Sequence, residues 1–138
     1  MPTRGVRGAT ITTANEAEAI LAATRELLLA IRNANPSMQT EDLASILFTV
    51  SDELDAVYPA QAVHQLEWPG IPLICAREIP VPGGLSNCIR VLIHWNTDLP
   101  QDKIIHIYQK EAARLRPDWV QKAQTASANS ETRLGEIS

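Results

Sequence analysis

The residues of this sequence best suited to ligand binding or catalysis are an arginine and a glutamate in successive predicted strands. Arg90 interrupts the otherwise apolar residues 88–95, a pattern typical of a strand that is covered on both faces. A buried guanidinium is unfavourable unless a carboxylate of the protein or an anionic ligand lies against it. Glu78, which ends the preceding predicted strand, is the candidate carboxylate. The pair is therefore either a structural ion pair or part of a ligand site, and these two residues alone favour neither.

The segments around this pair read as strand (71–78), turn-rich loop (79–87) and strand (88–95). We predict an antiparallel hairpin in which Arg90 lies opposite about residue 76, with Glu78 one diagonal step away. A strict pleat puts Cys75 and Glu78 on opposite faces. Both can line one pocket only if the strand twists, bulges or ends near residue 77.

Size and charge limit the class of protein. A chain of 138 residues is expected to form one domain with one modest core. The net charge is -4 and the arginines are scattered, which argues against nucleic acid or an anionic membrane as the partner. No stretch approaches the about 18 apolar residues of a membrane span, and the first residues lack an apolar secretory core. A cytoplasmic location is expected.

The cysteines and histidines give no sign of a disulfide or a metal site. Cys75 and Cys88 are the only cysteines, and in the predicted hairpin they do not lie opposite each other, so we expect reduced thiols. The histidines at 64, 94 and 106 lack the spacing of metal ligands. We expect no metal and no cofactor.

The remaining elements predict an α+β fold. A capping box at 13–16 and an apolar stripe predict a helix over 14–34, ended by Pro36. Further strands are predicted over 3–11, 44–50 and 104–108, and a short helix over 58–66. A mixed sheet of about five strands with only two helices lacks cover for both faces, so copies of the chain are expected to bury one of them. The domain spans 1–119, and 120–138 is expected to be a flexible tail.

With these residues in view, the chain resembles the monofunctional chorismate mutases of the trimeric, barrel-like class, as distinct from the all-helical class. The similarity covers residues 3–118. It rests on separated motifs in one order: Arg-Gly-Val-Arg-Gly-Ala-Thr at 4–10, Asp-Ala-Val-Tyr-Pro-Ala at 55–60, Ile74 to Glu78, Gly-Gly-Leu at 83–85, Cys-Ile-Arg-Val at 88–91, Pro-Gln-Asp at 100–102, His-Ile-Tyr at 106–108 and Leu-Arg-Pro-Asp at 115–118.

The resemblance implies a function and an assembly. It implies an isomerase that converts chorismate to prephenate by a Claisen rearrangement, on the shikimate route to phenylalanine and tyrosine. It also implies a homotrimer that forms a pseudo-α/β-barrel, with chorismate bound at the subunit interfaces. Arg90 would meet the ether oxygen of chorismate and Glu78 its ring. The remaining substrate-binding residues implied are Arg7, Tyr58, Ile74, Cys75, Ala76, Arg77, Tyr108 and Arg116.

Some positions admit a plainer interpretation or depart from the family. Composition alone favours a surface role for Arg7, which Gly5 and Gly8 flank, and Arg77 fits an edge strand as well as a pocket. Gln61 and His64 stand where many relatives carry basic residues. The alternative function is a trimeric protein that binds or hydrolyses small metabolites, with Arg90 holding a ligand carboxylate. A purely structural subunit, with Arg90 and Glu78 as a buried pair, is the third interpretation.

Overall fold

A five-stranded mixed sheet forms the centre of the molecule. The computed structural model describes the backbone of residues 1–137 and the side chains of residues 1–127. The strands are β1 (Thr3–Ile11), β2 (Leu43–Val50), β3 (Leu73–Arg77), β4 (Cys88–Asn96) and β5 (Ile107–Tyr108). The helices are α1 (Ala17–Ala34), α2 (Gln61–Gln65) and α3 (Pro117–Ile137), with 3-10 turns at Thr40–Asp42, Gln101–Lys103 and Lys110–Leu115. The predicted α+β class and mixed five-stranded sheet are confirmed.

The strands lie in the order β3-β2-β4-β1-β5. Strand β4 runs antiparallel to both of its neighbours, β2 and β1. The two edge strands are parallel to the strands beside them, β3 to β2 and β5 to β1. The predicted hairpin is therefore wrong, because β2 lies between β3 and β4. The long segment between β2 and β3 allows these two strands to be parallel. Residues 78–87 then connect β3 to β4, which lies on the other side of β2.

One face of the sheet carries the main core. Strand residues at alternating positions, among them Val6, Phe48 and Val91, pack in one cluster with Leu27 and Ile31 of α1. Helix and sheet are in close contact at Gly8. A Cβ atom placed there would lie 2.7 Å from Cδ1 of Ile31 and 3.2 Å from the carbonyl oxygen of Ile107. The absence of a side chain at this position therefore leaves room for Ile31 of α1 against the sheet.

The opposite face is largely uncovered in the single chain. The strand register places Ile74, Leu47, Leu92 and Arg7 in one row across β3, β2, β4 and β1. The side chain of Ile74 is 64% exposed, and Leu47 and Leu92 are only half-buried. Among residues 1–127, the turn 110–115 and the start of α3 cover the β5 side of this face. We refer to this surface as the open face.

Helix α1 starts without the predicted capping box. The helix begins at Ala17, and no side chain caps its N-terminus at Glu16. Asn15 instead binds the loop before α2, because its Oδ1 accepts hydrogen bonds from the backbone N–H groups of Asp55 and Ala56. The side chains around the helix start are therefore used for tertiary contacts rather than for a local cap.

The C-terminal part differs from the prediction in two ways. Strand β5 is shorter than 104–108, because Nδ1 of His106 accepts the N–H of Arg7 where a strand carbonyl would otherwise do so. A third helix, α3, covers much of the segment predicted to be a flexible tail. Its flexibility stays a prediction, and Ser138 lies outside the described residues. The helices within residues 1–137 include none that is long and apolar enough to cross a membrane.

Candidate active site

Arg90 and Glu78 meet on the open face although their strands are not neighbours. Thr49 of β2 lies opposite both Arg90 and Ala76, which puts Arg90 and Ala76 in one row. Glu78 follows β3 directly, and its N–H still donates to the carbonyl of Val50 at 2.8 Å. The distance from Nε of Arg90 to Oε2 of Glu78 is 3.9 Å. This is an ion pair, but the two atoms are too far apart for a hydrogen bond.

Three polar atoms at this place are buried without a hydrogen-bond partner in the part of the chain that the structure describes. They are Nε of Arg90, Oε2 of Glu78 and Oη of Tyr108. A buried polar group left unsatisfied costs about 1–3 kcal/mol, and more when it is charged. A structural ion pair would be expected to close to hydrogen-bonding distance. The unsatisfied atoms therefore favour a binding site over a purely structural pair.

Tyr108 and Arg7 extend this group toward the far edge of the sheet. Ala9 of β1 pairs with Arg90 on one side and with Tyr108 on the other, so all three share the open face. The guanidinium carbon of Arg7 lies 6.0 Å from the centre of the Tyr108 ring. Burial raises the pKa of Tyr108, and the charges of Arg7 and Arg90 oppose that rise. Tyr108 is therefore a protonated hydroxyl at neutral pH and can donate to an anion.

Arg116 lies at the start of α3, next to this group. Its guanidinium carbon is 3.3 Å from the centre of the Trp119 ring, and its Nη2 donates to Oδ2 of Asp118 at 2.7 Å. That hydrogen bond raises the pKa of Arg116 and lowers the pKa of Asp118. We call the unit of Arg7, Glu78, Arg90, Tyr108 and Arg116 the cationic group. Its four positively charged or hydroxyl-bearing members suit a ligand with two carboxylates.

Two residues beside the cationic group were missed by the sequence reasoning. His106 accepts the N–H of Arg7 at 2.9 Å, and its ring lies 4.0 Å from that of Trp119, centre to centre. Burial, reinforced by the charges of Lys122, Arg116 and Arg7, lowers the pKa of His106 to about 4. The histidine is therefore neutral and can accept through Nδ1. The signals that could have pointed to them are the motif at 106–108, which contains His106, and the motif at 115–118, which Trp119 directly follows.

A second set of predicted residues lines a cleft at the β3 edge. The cleft has a volume of ≈ 540 Å³, and Tyr58, Cys75, Ala76 and Arg77 are among its lining residues. Burial raises the pKa of the Cys75 thiol, which is therefore protonated at neutral pH. Arg77 is held at the rim, where its Nη1 donates to Oδ1 of Asp52 at 2.8 Å. We call this set the cleft group.

The predicted site residues do not form one pocket within a single chain. Cys75 pairs with the fully buried Phe48 and so points to the core side, opposite to Glu78 and Arg90, as strict pleating requires. Strand β3 and strand β5 are separated by four strand spacings, roughly 19 Å. Ile74 lies outside the cleft, in a shallow depression of the open face with Leu47 and His94. Tyr58 and Cys75 therefore cannot reach a small ligand bound by Arg7 and Tyr108 of the same chain.

The fold and these side chains together define a small α+β protein with a cluster of arginines and a tyrosine hydroxyl on a largely uncovered sheet face. A sequence model of one family, chorismate mutase type I, matches residues 3–119. The chain therefore belongs to the chorismate mutase type I family. The family and the enzyme class predicted from the sequence, an isomerase of the chorismate mutase type, are confirmed.

Individual relatives agree with this assignment. The chain is 50% identical over 115 residues to "Chorismate mutase AroH" of Thermus thermophilus, which covers 83% of this chain and 94% of that protein. It is 42% identical over 119 residues to "Chorismate mutase AroH" of Bacillus subtilis (strain 168), covering 86% and 93%. The solved chorismate mutase from Clostridium thermocellum superposes with a TM-score of 0.77 at 41% identity, over 80% of this chain and 97% of that one.

Proposed function

We propose that this protein is a chorismate mutase that converts chorismate to prephenate, on the route to phenylalanine and tyrosine. Family membership supports the reaction. The observation that carries the residue assignment is the arrangement of Arg90 and Glu78, whose facing buried atoms lie 3.9 Å apart and are not hydrogen-bonded to each other. The alternative, a protein that binds or hydrolyses small metabolites, is not favoured by the family relationship.

In this proposal the protein stabilises charge that develops as the substrate rearranges. The ether C–O bond breaks ahead of C–C bond formation, so negative charge grows on the ether oxygen and positive charge on the ring. Arg90 faces the oxygen and Glu78 faces the ring. Fixed charges and donors aimed at developing charge are commonly worth about 3–4 kcal/mol each. The rearrangement needs no proton transfer, in keeping with a Tyr108 that stays protonated.

The other members of the cationic group bind the two carboxylates of chorismate. Arg7 and Arg116 supply positive charge and Tyr108 supplies a hydroxyl donor. The burial that raises the pKa of Tyr108 also strengthens such hydrogen bonds, because competing water is reduced. The cleft group then forms the opposite wall of the pocket, with Tyr58, Cys75 and the backbone of residues 74–77.

We further propose that the active unit is a homotrimer with its sites between subunits. The open face supports this proposal, because it presents the exposed Ile74 and the half-buried Leu47 and Leu92 to solvent in the single chain. The separation of Tyr58 and Cys75 from Arg7 and Tyr108 supports it as well, since one chain would supply the cations and its neighbour the wall. The trimer would close into a pseudo-α/β-barrel.

We place the protein in the cytoplasm. Its two cysteines are free thiols, one partly buried and one buried, which suits a reducing compartment. The chemistry points the same way, because chorismate and prephenate are metabolites of amino-acid biosynthesis.

A direct assay tests the reaction. Purified protein is mixed with chorismate and the loss of its ultraviolet absorbance is followed, with Arg90→Ala as the comparison. We expect consumption by the wild type and a loss of at least about 100-fold in kcat/KM for the variant. Ligand binding without consumption would instead identify a metabolite-binding protein. Light scattering of the same preparation tests the trimer of 15.1-kDa chains.

A further inference from the structure

Trp119 is the common contact of three side chains around the candidate site. Its ring centre lies 3.3 Å from the guanidinium carbon of Arg116, 4.0 Å from the ring centre of His106 and 5.7 Å from that of Tyr108. Trp119 lies in the first turn of α3 and packs against the cluster of Ala9, Tyr108 and Ala112. Trp119 thus joins the start of α3 to the strand residues of the site.

The stacking on Trp119 restricts an otherwise mobile cation. The side chain of Arg116 is 39% exposed, and an exposed arginine populates many rotamers. An indole face is the best aromatic partner for a guanidinium. Together with the hydrogen bonds from Arg116 to Asp118, it holds the side chain in one place. A cation that is ordered before binding loses less entropy when a ligand arrives, and affinity rises accordingly.

The Trp119 ring is itself fixed from the strand side. His106 is 8% exposed and lies against one part of the indole, while Tyr108 meets it edge-on at an angle of 66°. His106 cannot turn freely, because its Nδ1 accepts the N–H of Arg7 at 2.9 Å. The contacts therefore run without a break from the backbone of β1 through His106 and Trp119 to the guanidinium of Arg116.

We propose that Trp119 is a positioning residue that holds Arg116 in the orientation in which it binds a substrate carboxylate, with His106 fixing the indole ring. This inference rests on the proposed function, in which Arg116 is one of the carboxylate-binding cations. Trp119 touches no reacting atom, so its effect falls on substrate binding rather than on the chemical step.

The test compares Trp119→Leu, Trp119→Phe, Arg116→Ala and the Trp119→Leu/Arg116→Ala double variant in the chorismate assay. Trp119→Leu removes the stacking surface but keeps an apolar side chain, and is expected to raise KM about 5- to 20-fold with kcat within about twofold of wild type. Trp119→Phe restores an aromatic face and should bring KM back to within about threefold. In the Arg116→Ala background, Trp119→Leu should change KM by less than about twofold, because the group that it positions is gone.

The outcomes separate this inference from the proposed function. A wild type that does not consume chorismate refutes the function, and the inference with it. An active wild type whose KM is unchanged by Trp119→Leu overturns the inference alone. So does a full effect of Trp119→Leu in the Arg116→Ala background, or a loss in kcat rather than in KM. Thermal unfolding of each variant identifies a loss of folded protein. If Trp119→Leu unfolds, a Trp119→Phe variant with KM raised more than tenfold at unchanged melting temperature counts against the inference.

Discussion

Nε of Arg90 and Oε2 of Glu78 face each other at 3.9 Å across an intervening strand. Neither atom has a hydrogen-bond partner in the described part of the chain, and both are buried. The gap is what a site needs if the cation and the anion are to act on different parts of one ligand. A closed ion pair would neutralise both groups and leave little field for a substrate.

The identity of the cation at position 90 should matter more than its charge. Arg90→Lys keeps the charge but loses the planar fork of donors, so we expect kcat to fall by about 100-fold or more. The melting temperature should change by only a few degrees, because the side chain is partly exposed. Arg25→Lys, at an ion pair with Glu18 away from the site, is the matched control and should be near wild type. Near-normal turnover of Arg90→Lys would contradict the assigned role.

The charge of Glu78 should affect the chemical step. Glu78→Gln preserves shape while removing the negative charge, and we expect kcat to fall about 10- to 100-fold with a smaller change in KM. Glu26→Gln, at an exposed contact 4.0 Å from Lys110, serves as the control and should leave kcat unchanged. Steady-state kinetics distinguish the two. An increase in stability of Glu78→Gln with full activity would show that the carboxylate has no catalytic part.

A side chain at Gly8 should be destabilising. Gly8→Ala places a methyl group 2.7 Å from Cδ1 of Ile31 and 3.2 Å from a backbone oxygen, so the Ile31 side chain must move and the backbone at Ile107 must yield slightly. We expect the free energy of unfolding to fall by about 1–3 kcal/mol, as for other overpacked cores. Gly70→Ala is the matched control, because nothing lies within 4 Å of its added carbon. Denaturant unfolding at fixed protein concentration measures both, and equal stabilities would refute the close approach.

Stability should decrease in acid through His106. Its pKa in the folded chain is lowered from 6.5 to about 4, so between these values the unfolded chain binds more protons than the folded one. The free energy of unfolding therefore falls as the pH is lowered through this window, by roughly 3 kcal/mol in total. His106→Asn keeps an acceptor for the N–H of Arg7 but does not titrate. Urea unfolding at pH 4.5 and pH 7 should show a weaker pH dependence in this variant, and identical dependences would count against the burial of a neutral histidine.

A charge on the open face should prevent assembly. Leu47→Asp adds a carboxylate in the middle of the uncovered face, where the partners in register are the apolar Ile74 and Leu92. We expect light scattering to report single chains, with loss of chorismate turnover, because a buried unpaired charge is costly. Leu29→Asp is the control, since Leu29 is 43% exposed on α1. An active trimer of Leu47→Asp would show that copies associate through another surface.

How far the sequence predicts this structure depends on the range of the contacts involved. The strand β1 and the long helix α1 follow from local patterns, and both lie close to their predicted bounds. Glu78 was also predicted as the candidate partner of Arg90, because a buried cation requires a carboxylate or an anionic ligand, although the hairpin expected to bring the two together does not form. The strand order was not predicted correctly, because a short apolar run does not indicate which strand it pairs with.

The contacts of Trp119 were missed for the same reason. His106, Tyr108 and Trp119 are in contact because the start of α3 packs on the β5 side of the sheet. The spacing of residue types along the sequence does not predict that packing. The pairing of Arg7 with His106 joins residues 99 positions apart. Such long-range contacts are visible in the folded chain but not in local periodicity.

The distance between Tyr58, which lines the cleft beside β3, and Arg7 on β1 has a consequence for mixed assemblies. If neighbouring subunits complete each other's sites as proposed, a chain carrying Arg7→Ala and a chain carrying a disabling change at Tyr58 are each inert alone. If the two chains are unfolded together and refolded as a mixture, they would form mixed trimers. In each mixed trimer, one site would combine an intact Arg7 from one chain with an intact Tyr58 from its neighbour. Such complementation would recover part of the lost turnover, whereas sites confined to one chain would recover none.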